Sequence, residues 1–226
     1  MINPGTGSNL STDRRRFGVK LSPDGIRRRL AASKAHRSVY PLSPEEVQAL
    51  IHNTLDLRDR CVLECLVYCG MRRSEVAFLE IARLDFAAGT INVVGKGGQK
   101  RLVPMPPFLA AHLKELIGRR NSGPVFISGL WRTRPGHSVS NRGIALILDR
   151  AAQRAGVKQK NPALARIYPH QLRHTFARMM KDKGMQWEDL ALLMGHKDPQ
   201  VTAAIYGRHS FEQVKENYLR LMAAEG

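Results

Sequence analysis

The hydrophobic pattern of this 226-residue chain changes its period between Asp85 and Pro104. Elsewhere apolar residues recur every three to four positions, which is the spacing of amphipathic helices. In this stretch the period is two, and the segments TINVV and KRLVPM flank the glycine-rich GKGGQ, as in two strands joined by a turn. The sequence therefore predicts a mainly α (α+β) fold, in which a helical domain carries a small antiparallel β-hairpin with Lys96 at its tip.

Several segments are predicted to be helical. The first begins at Ser43, because Ser43, Pro44 and Glu46 have the spacing of a capping box with proline in the first turn. Gly70 and Gly195 are each predicted to end a helix. The predicted helices cover residues 44–54, 57–69, 73–81, 107–119, 140–155, 169–183, 187–194, 199–206 and 211–223.

Residues 1–41 are predicted to form a basic arm. Nine basic and two acidic side chains give this segment a net charge of +7, and it holds few large apolar residues. Such a segment cannot bury a core of its own. It is therefore expected either to be disordered or to lie along the phosphates of a nucleic acid.

The charge of the whole chain limits its partners. The chain has 36 Lys and Arg residues against 19 Asp and Glu residues, and the resulting net charge of +17 attracts polyanions. Nucleic acid is the leading partner class and an anionic membrane surface is the second. No apolar run approaches the roughly 18 residues that span a bilayer, and the N-terminus lacks a signal-peptide core, so we expect a soluble, cytoplasmic protein.

Three cysteines are expected on one stripe of one helix. Cys61, Cys65 and Cys69 follow each other at intervals of four residues. Valine and leucine surround them, and a small apolar side chain packs well in such a place. We therefore expect buried thiols in a reducing compartment and predict no metal or redox site.

The segment PHQLRHTF places His170, Arg173 and His174 on one face of a predicted helix, because positions i, i+3 and i+4 are neighbours. Leu172 and Phe176 fall on an adjoining face that can be buried. The basic face either grips one ligand or is solvated. Two histidines four residues apart can also share a zinc ion, but their neighbours are cationic and no carboxylate accompanies them, so no metal site is predicted.

Two further segments carry side chains that suit phosphate chemistry. In GMRRSE, Arg72 precedes a predicted helix and Glu75 follows three residues later, so the carboxylate can hold the guanidinium rigidly toward a phosphate. In LMGHKDPQVTAAIYG, His196 ends one predicted helix and Tyr206 stands ten residues later, near the end of the next. Taken singly, each of these residues is more simply explained as a surface or boundary residue.

Taken in order, GMRRSE, the GKG hairpin, PHQLRHTFA, LMGH and the later tyrosine resemble the pattern of the tyrosine recombinase (phage integrase) family. The resemblance implies a helical catalytic domain of that family over residues 42–226. It implies that Tyr206 is the nucleophile and that Lys96 protonates the leaving 5′ oxygen. It implies that Arg72 and Arg173 bind the phosphate and that His170 is the general acid/base. It also implies that His196 is a second phosphate-binding histidine and that Glu75 is a supporting carboxylate.

The implied function is that of a site-specific DNA recombinase, which cleaves and rejoins strands by metal-independent transesterification through a 3′-phosphotyrosine. The residue types agree with this chemistry, because fixed arginines and histidines stabilise a transition state that gains negative charge, without a metal or another cofactor. A tyrosine with a reference pKa of about 10 needs a base or a cationic field to act as a nucleophile. The alternatives are a type IB topoisomerase-like enzyme, which shares the chemistry, and a DNA-binding accessory protein that does not cleave.

The resemblance also implies partners. The expected partner is double-stranded DNA, bound by a homo-oligomer that forms a tetramer on paired sites, and accessory DNA-bending proteins are further candidates. Family members usually carry a DNA-binding domain ahead of the catalytic one, whereas 41 residues precede Leu42 here. The chain is therefore either a catalytic-domain fragment or, as we expect, a naturally short protein that starts at its own Met1 and uses its basic arm, or a partner, instead. The apolar stripe of residues 211–221 is expected to pack on the same chain, although the family often docks this tail on a neighbouring protomer.

Overall fold

A computed structural model describes residues 39–95, 98–128, 136–160, 164–195 and 210–223. The helices in these ranges are α1 (Pro44–His52), α2 (Leu57–Val67), α3 (Arg73–Ala77), α4 (Pro107–Ile117), α5 (Asn141–Arg154), α6 (Pro169–Asp182), α7 (Trp187–Met194) and α8 (Phe211–Ala223). The strands are β1 (Leu84–Asp85), β2 (Thr90–Val94) and β3 (Lys100–Pro104), and a 3-10 turn (Ile81–Arg83) precedes β1. Most of the predicted basic arm and the predicted helix over 199–206 lie outside the described residues.

The fold is mainly helical with one small antiparallel sheet, as predicted. The two strands expected around the glycine-rich segment are β2 and β3, and their register pairs Ile91 with Val103. The sheet has one further strand, β1, which pairs Leu84 with Ile91 and was not predicted. Ile91, Val93 and Val103 are buried, so one face of the sheet packs on the helices. Across the described ranges, no helix is both long and apolar enough to cross a membrane.

The start of α1 confirms the predicted capping box. The hydroxyl of Ser43 accepts a hydrogen bond from the backbone N–H of Glu46 at 3.3 Å. In return, the backbone N–H of Ser43 donates to Glu46 Oε2 at 2.7 Å. Two N–H groups that the first turn leaves without helical partners are satisfied in this way, which is why the helix begins here.

The helix predicted over 73–81 is too long, because α3 ends at Ala77. The chain then pairs with a distant segment: the carbonyl of Leu79 accepts from the N–H of Val125 at 2.8 Å. The N–H of Ile81 donates to the carbonyl of Gly123 at 2.9 Å. These backbone groups therefore form their hydrogen bonds outside the helix. A further helical turn would use the same groups and leave the distant segment without hydrogen-bond partners.

Helix α2 runs through the centre of the fold and contacts α3, α4 and α6. All its residues from Cys61 to Val67 are buried. The three cysteines are fully buried, as predicted, although α2 ends at Val67 and Cys69 lies just beyond it. Burial raises the pKa of Cys61 to about 12, so this thiol stays protonated and acts as a small packing group.

Helix α8 packs on its own chain, as the stripe over 211–221 predicts. Val214, Tyr218 and Leu221 are buried, and the helix contacts β3. The hydroxyl of Tyr218 donates a hydrogen bond of 2.8 Å to the carbonyl of Tyr68, next to the end of α2. The C-terminal helix is thereby fixed against the central helix.

Buried polar contacts fix the rotation of α6 about its axis. The N–H of Leu42 donates to Thr175 Oγ1 at 3.0 Å, and Gln171 Nε2 donates to the carbonyl of Tyr40 at 2.7 Å. Gln171 and Thr175 are both buried. Since these contacts hold one face of the helix against the start of the folded region, they decide where the other face points.

Candidate active site

Arg72, His170 and Arg173 line one cleft of about 420 Å³. Arg72 immediately precedes α3, whereas the other two residues lie on α6. The fold therefore brings together three of the six residues predicted to act on a phosphate. The other three, Lys96, His196 and Tyr206, lie outside the described residues. The cleft is also lined by Met71, Arg73, Ser74, Asn141, Tyr168 and Pro169.

The guanidinium of Arg173 is held at the floor of this cleft. The side chain is buried, and it donates hydrogen bonds to the carbonyls of Gly70 and Met194. An arginine has five N–H donors, so these two bonds leave donors for a ligand in the cleft. Burial first, and the nearby charges of Arg72 and Arg101 next, lower the pKa of Arg173 to about 9, against an opposing effect of Glu75. The group is therefore still charged at neutral pH, and a bound anion would relieve the crowding of positive charge.

Glu75 forms an ion pair with Arg72 and holds it in place, as expected from their spacing of three residues. Its Oε1 accepts from Arg72 Nη1 at 2.8 Å, and its Oε2 accepts from the backbone N–H of Arg72 at 2.7 Å. A second arginine, Arg101 on β3, donates to both oxygens at 2.8 Å. Burial alone would raise the pKa of Glu75, but the hydrogen bonds and charge of Arg101, followed by the hydrogen bonds of Arg72, bring it down to about 2. Glu75 is therefore a carboxylate at every physiological pH.

The cleft has an excess of positive charge. Within the described residues, Arg72 and Arg101 pair with the carboxylate of Glu75 and Arg173 lies near both arginines, so three guanidinium groups accompany this carboxylate and leave a local excess of two positive charges. Arg72 is the most accessible of the three, with 38% of its side chain exposed. Donors that protein contacts already hold in place need little reorganisation when an anion binds. The arrangement can therefore bind and polarise a phosphate group.

His170 and His174 form a contacting pair on α6. Their Nε2 atoms lie 3.1 Å apart, and their rings meet edge to face with centroids 4.6 Å apart. One Nε2 must carry a hydrogen and the other must accept it, so both rings cannot be charged in this arrangement. Partial burial, then His174, Arg173 and Arg72, lower the pKa of His170. Partial burial and then Arg173 lower the pKa of His174. Both effects favour a neutral pair that can take up a proton.

We expect the imidazole resonances of His170 and His174 to titrate with midpoints below pH 6.5 in NMR spectra of the free protein. A histidine whose pKa is lowered on folding binds protons more readily when unfolded. Such a histidine contributes to the free energy of unfolding in full above pH 6.5, and this contribution is lost as the pH falls through the lowered pKa. Urea unfolding should show a free energy of unfolding that declines over this range, and less so in a His170→Gln/His174→Gln variant. A midpoint above 6.5 for His170 would show that burial and the neighbouring His174, Arg173 and Arg72 do not lower its pKa.

Sequence reasoning missed two residues of this region. Arg101 is one of 36 basic side chains, and its place in KRLVPM carries no signal that separates it from an exposed strand residue. Asn141 begins α5 and lines the cleft, and its Oδ1 atom is buried without a hydrogen-bond partner among the described residues. Neither residue belongs to a recognisable local motif, so only the fold reveals them. Among the described residues, no group of three or more His, Cys, Asp or Glu side chains is placed to hold a metal ion.

Residues 41–213 match the model of the phage integrase family. The tyrosine recombinase XerC of Oceanobacillus iheyensis is 35% identical over 178 residues, which are 75% of this chain and 55% of that protein. The integrase of mycobacterium phage Brujita has a similar fold, with a TM-score of 0.65 at 24% identity over 82% of this chain and 59% of that chain. The XerH site-specific recombinase bound to its difH substrate gives a TM-score of 0.58 at 23% identity over 80% of this chain and 54% of that chain. The chain thus spans little more than half the length of each of these proteins.

Proposed function

The chain belongs to the phage integrase family, and from this premise we propose that it is a site-specific recombinase that cleaves and rejoins DNA strands through a 3′-phosphotyrosyl intermediate. The observation that carries the proposal is the convergence of Arg72, Arg173 and His170 on one cleft with an excess of positive charge. A scissile phosphate is the ligand whose charge and size suit such a cleft. Because the donors are arginines and histidines, the proposed reaction needs no metal ion.

In the proposed reaction, Arg72 and Arg173 bind the non-bridging oxygens of one phosphodiester. The phenolic oxygen of Tyr206 attacks the phosphorus and loses its proton to His170, while His196 donates a further hydrogen bond to the phosphate. The bond from phosphorus to the 5′ oxygen breaks, and Lys96 protonates that oxygen as it leaves. The 5′-hydroxyl of another strand then attacks the phosphotyrosine and gives its proton to Lys96, while the bond from phosphorus to Tyr206 breaks and Tyr206 takes its proton back from His170. A phosphodiester replaces the one that was cleaved, so no ATP is needed.

The proposed partner is double-stranded DNA. The net charge of +17 supports a polyanionic partner, and XerH, which shares this fold, has been solved on its own DNA substrate. Recombination requires two DNA sites, so we further propose a homo-oligomer, a tetramer on paired sites, which accessory DNA-bending proteins assist. The basic arm of residues 1–41 is proposed to contribute phosphate contacts outside the catalytic domain.

Covalent capture on DNA tests this function and finds the target sequence in the same step. The full chain is incubated with a pool of randomised duplexes that each carry one nick, so that cleavage near the nick releases a short fragment and traps the enzyme. DNA that stays attached to protein in SDS is recovered and sequenced, and the linked peptide is identified by mass spectrometry. The expected result is an enriched sequence joined through its 3′ end to Tyr206.

Each alternative gives a different result in this experiment. DNA binding without an SDS-resistant adduct would identify a non-cleaving DNA-binding protein. An adduct on a residue other than Tyr206 would show that the nucleophile has been assigned wrongly. If an adduct forms, two copies of the recovered sequence are placed on one plasmid. Exchange between them indicates a recombinase, whereas relaxation of a plasmid without exchange indicates a topoisomerase-like enzyme.

A further inference from the structure

We propose that Arg101 is a positioning residue of this site, which sets the orientation of Arg72 through Glu75 and also fixes the segment that leads into His196. The inference rests on the proposed function, because it assigns Arg101 a role in the same cleavage reaction. Arg101 would not touch the DNA itself. It would hold in place the groups that do.

The first support is the double hydrogen bond between Arg101 and Glu75. Nη1 and Nη2 of Arg101 donate to Oε1 and Oε2 of Glu75, each at 2.8 Å. Only 10% of the Arg101 side chain and 2% of the Glu75 side chain are exposed. A two-point contact between buried, oppositely charged groups is rigid, and losing one partner leaves the other charge buried and unpaired. Glu75 therefore depends on Arg101 for its position.

The second support is the way Glu75 divides its oxygens between two arginines. Arg72 contributes one side-chain N–H to Glu75, from Nη1 to Oε1, and the other end of its guanidinium reaches the carbonyl of Gly195 at 3.3 Å. Because Arg101 already donates to both carboxylate oxygens of Glu75, the guanidinium of Arg72 cannot easily form a second hydrogen bond to this carboxylate. Without Arg101, Glu75 would be free to draw the Arg72 guanidinium fully onto itself, away from the cleft. The role of Arg101 is thus to leave Arg72 partly unpaired.

The third support is the contact of Arg101 with the end of α7. Its Nε donates to the carbonyl of Leu193 at 2.8 Å. The backbone of Gly195 lies so close that a Cβ atom there would come within 2.9 Å of Arg101 Cδ. His196 is the next residue in the chain. Arg101 therefore fixes the point from which the segment carrying the second predicted phosphate-binding histidine departs.

The fourth support is the position of Arg101 on β3. It pairs with Val93 of β2 and lies on the strand that follows the GKGGQ segment containing Lys96. The Arg101 side chain, only 10% exposed, thus contacts Glu75 beside Arg72 and the backbone that leads to His196, and it follows Lys96 by five residues in the sequence. Its Nε and both terminal nitrogens are engaged with protein groups, which is the arrangement of a residue that organises a site.

The test compares Arg101→Gln with the full unsubstituted chain in single-turnover formation of the covalent adduct, on the DNA sequence that covalent capture recovers. The adduct rate is expected to fall roughly 10- to 100-fold, the effect of misplacing a reacting group by about 1 Å. DNA affinity should change little, because Arg101 is not a DNA contact. Lys100→Gln is the matched control: it removes one positive charge from the neighbouring, exposed position of the same strand and should leave the adduct rate unchanged.

Two further measurements separate positioning from general loss of structure. Once Arg101 is gone, Glu75 keeps its burial, and its remaining positive neighbours among the described residues are Arg72 and the more distant Arg173, so it should take up a proton at higher pH. In a plot of adduct rate against pH, the fall in rate at low pH should begin at a higher pH in Arg101→Gln than in the unsubstituted chain. Partial unfolding would instead lower the rate without shifting the pH at which this fall begins. Arg101→Lys, which keeps the charge but not the two-point contact, should recover part of the rate and covers the case in which Arg101→Gln does not fold.

A second substitution tests the route through Glu75. In a Glu75→Gln background, the additional change Arg101→Gln should lower the adduct rate by a smaller factor than it does in the unsubstituted chain. Equal factors in the two backgrounds would overturn the inference, as would an unchanged adduct rate in Arg101→Gln. A parallel loss of adduct rate and DNA affinity would also overturn it, since Arg101 would then contact DNA. If the unsubstituted chain forms no adduct, the proposed function itself is wrong, and that result is distinct from these.

Discussion

Replacing Arg173 by lysine is expected to lower the rate of covalent adduct formation by roughly 10²- to 10³-fold, the usual effect of removing one fixed donor to a transition-state oxyanion. Lysine keeps the positive charge, but its three donors sit on one nitrogen, so bonds to the carbonyls of Gly70 and Met194 would leave at most one donor for the cleft. Each buried carbonyl that loses its donor costs about 1–3 kcal/mol, so the free energy of unfolding should fall as well. Single-turnover adduct assays at saturating DNA and urea unfolding measure the two effects.

The matched control for this prediction lies on the same helix. Arg178 is exposed, and its partner in the described part of the chain is Asp182, one turn away, at 2.7 Å. Solvent screens an exposed pair of this kind, so Arg178→Gln should change neither stability nor adduct rate appreciably. An Arg173→Lys protein that reacts as fast as Arg178→Gln would show that Arg173 does not act on the scissile phosphate.

The parts of the fold that local sequence determines were predicted well. The start of α1 follows from Ser43 and Glu46, whose side chains bond to backbone groups three residues away. The common face of His170 and Arg173 follows from helical periodicity, and both residues line the cleft. The contact of Glu75 with Arg72 also spans three residues. Each of these features depends on neighbours within one helical turn, and such neighbours can be read from spacing.

The features that were missed depend on contacts that reach beyond one helical turn. α3 ends early because Leu79 and Ile81 bond to the segment around Gly123 and Val125. β1 exists because Leu84 finds Ile91 as its partner. Spacing does not encode which distant segment offers a free backbone group, so periodicity extends a helix past its true end and overlooks a two-residue strand.

The same reason explains the incomplete prediction of the site. Arg101 meets Glu75 across 26 residues, and Arg173 meets Gly70 across 103. Family resemblance supplied the residues expected to touch a phosphate, because these sit in motifs that recur. It did not supply the contacts that hold them in place, because such contacts depend on how the helices and the sheet pack.

Substituting Gly70 by alanine is expected to lower the free energy of unfolding by about 2–5 kcal/mol, the sum of a left-handed backbone cost and an overpacking cost. Gly70 has a φ of +57°, which disfavours a residue with a side chain. A Cβ atom there would overlap Cδ1 of Phe176, which is itself buried on α6. The ring cannot move aside freely, because it is enclosed in the core and lies next to the ring of Tyr218, with centroids 6.4 Å apart. Urea unfolding measures the loss.

Gly184→Ala separates the two contributions to this loss. Gly184 also has a positive φ, of +89°, but a Cβ atom there would meet no atom within 4 Å, so only the backbone cost of about 1–2 kcal/mol is expected. Losses of equal size in the two variants would show that the contact between Gly70 and Phe176 is not tight. The site should respond too, because the carbonyl of Gly70 accepts a hydrogen bond from Arg173. A shift of Gly70 away from Phe176 moves that acceptor, so the folded fraction of Gly70→Ala should form the adduct more slowly than that of Gly184→Ala.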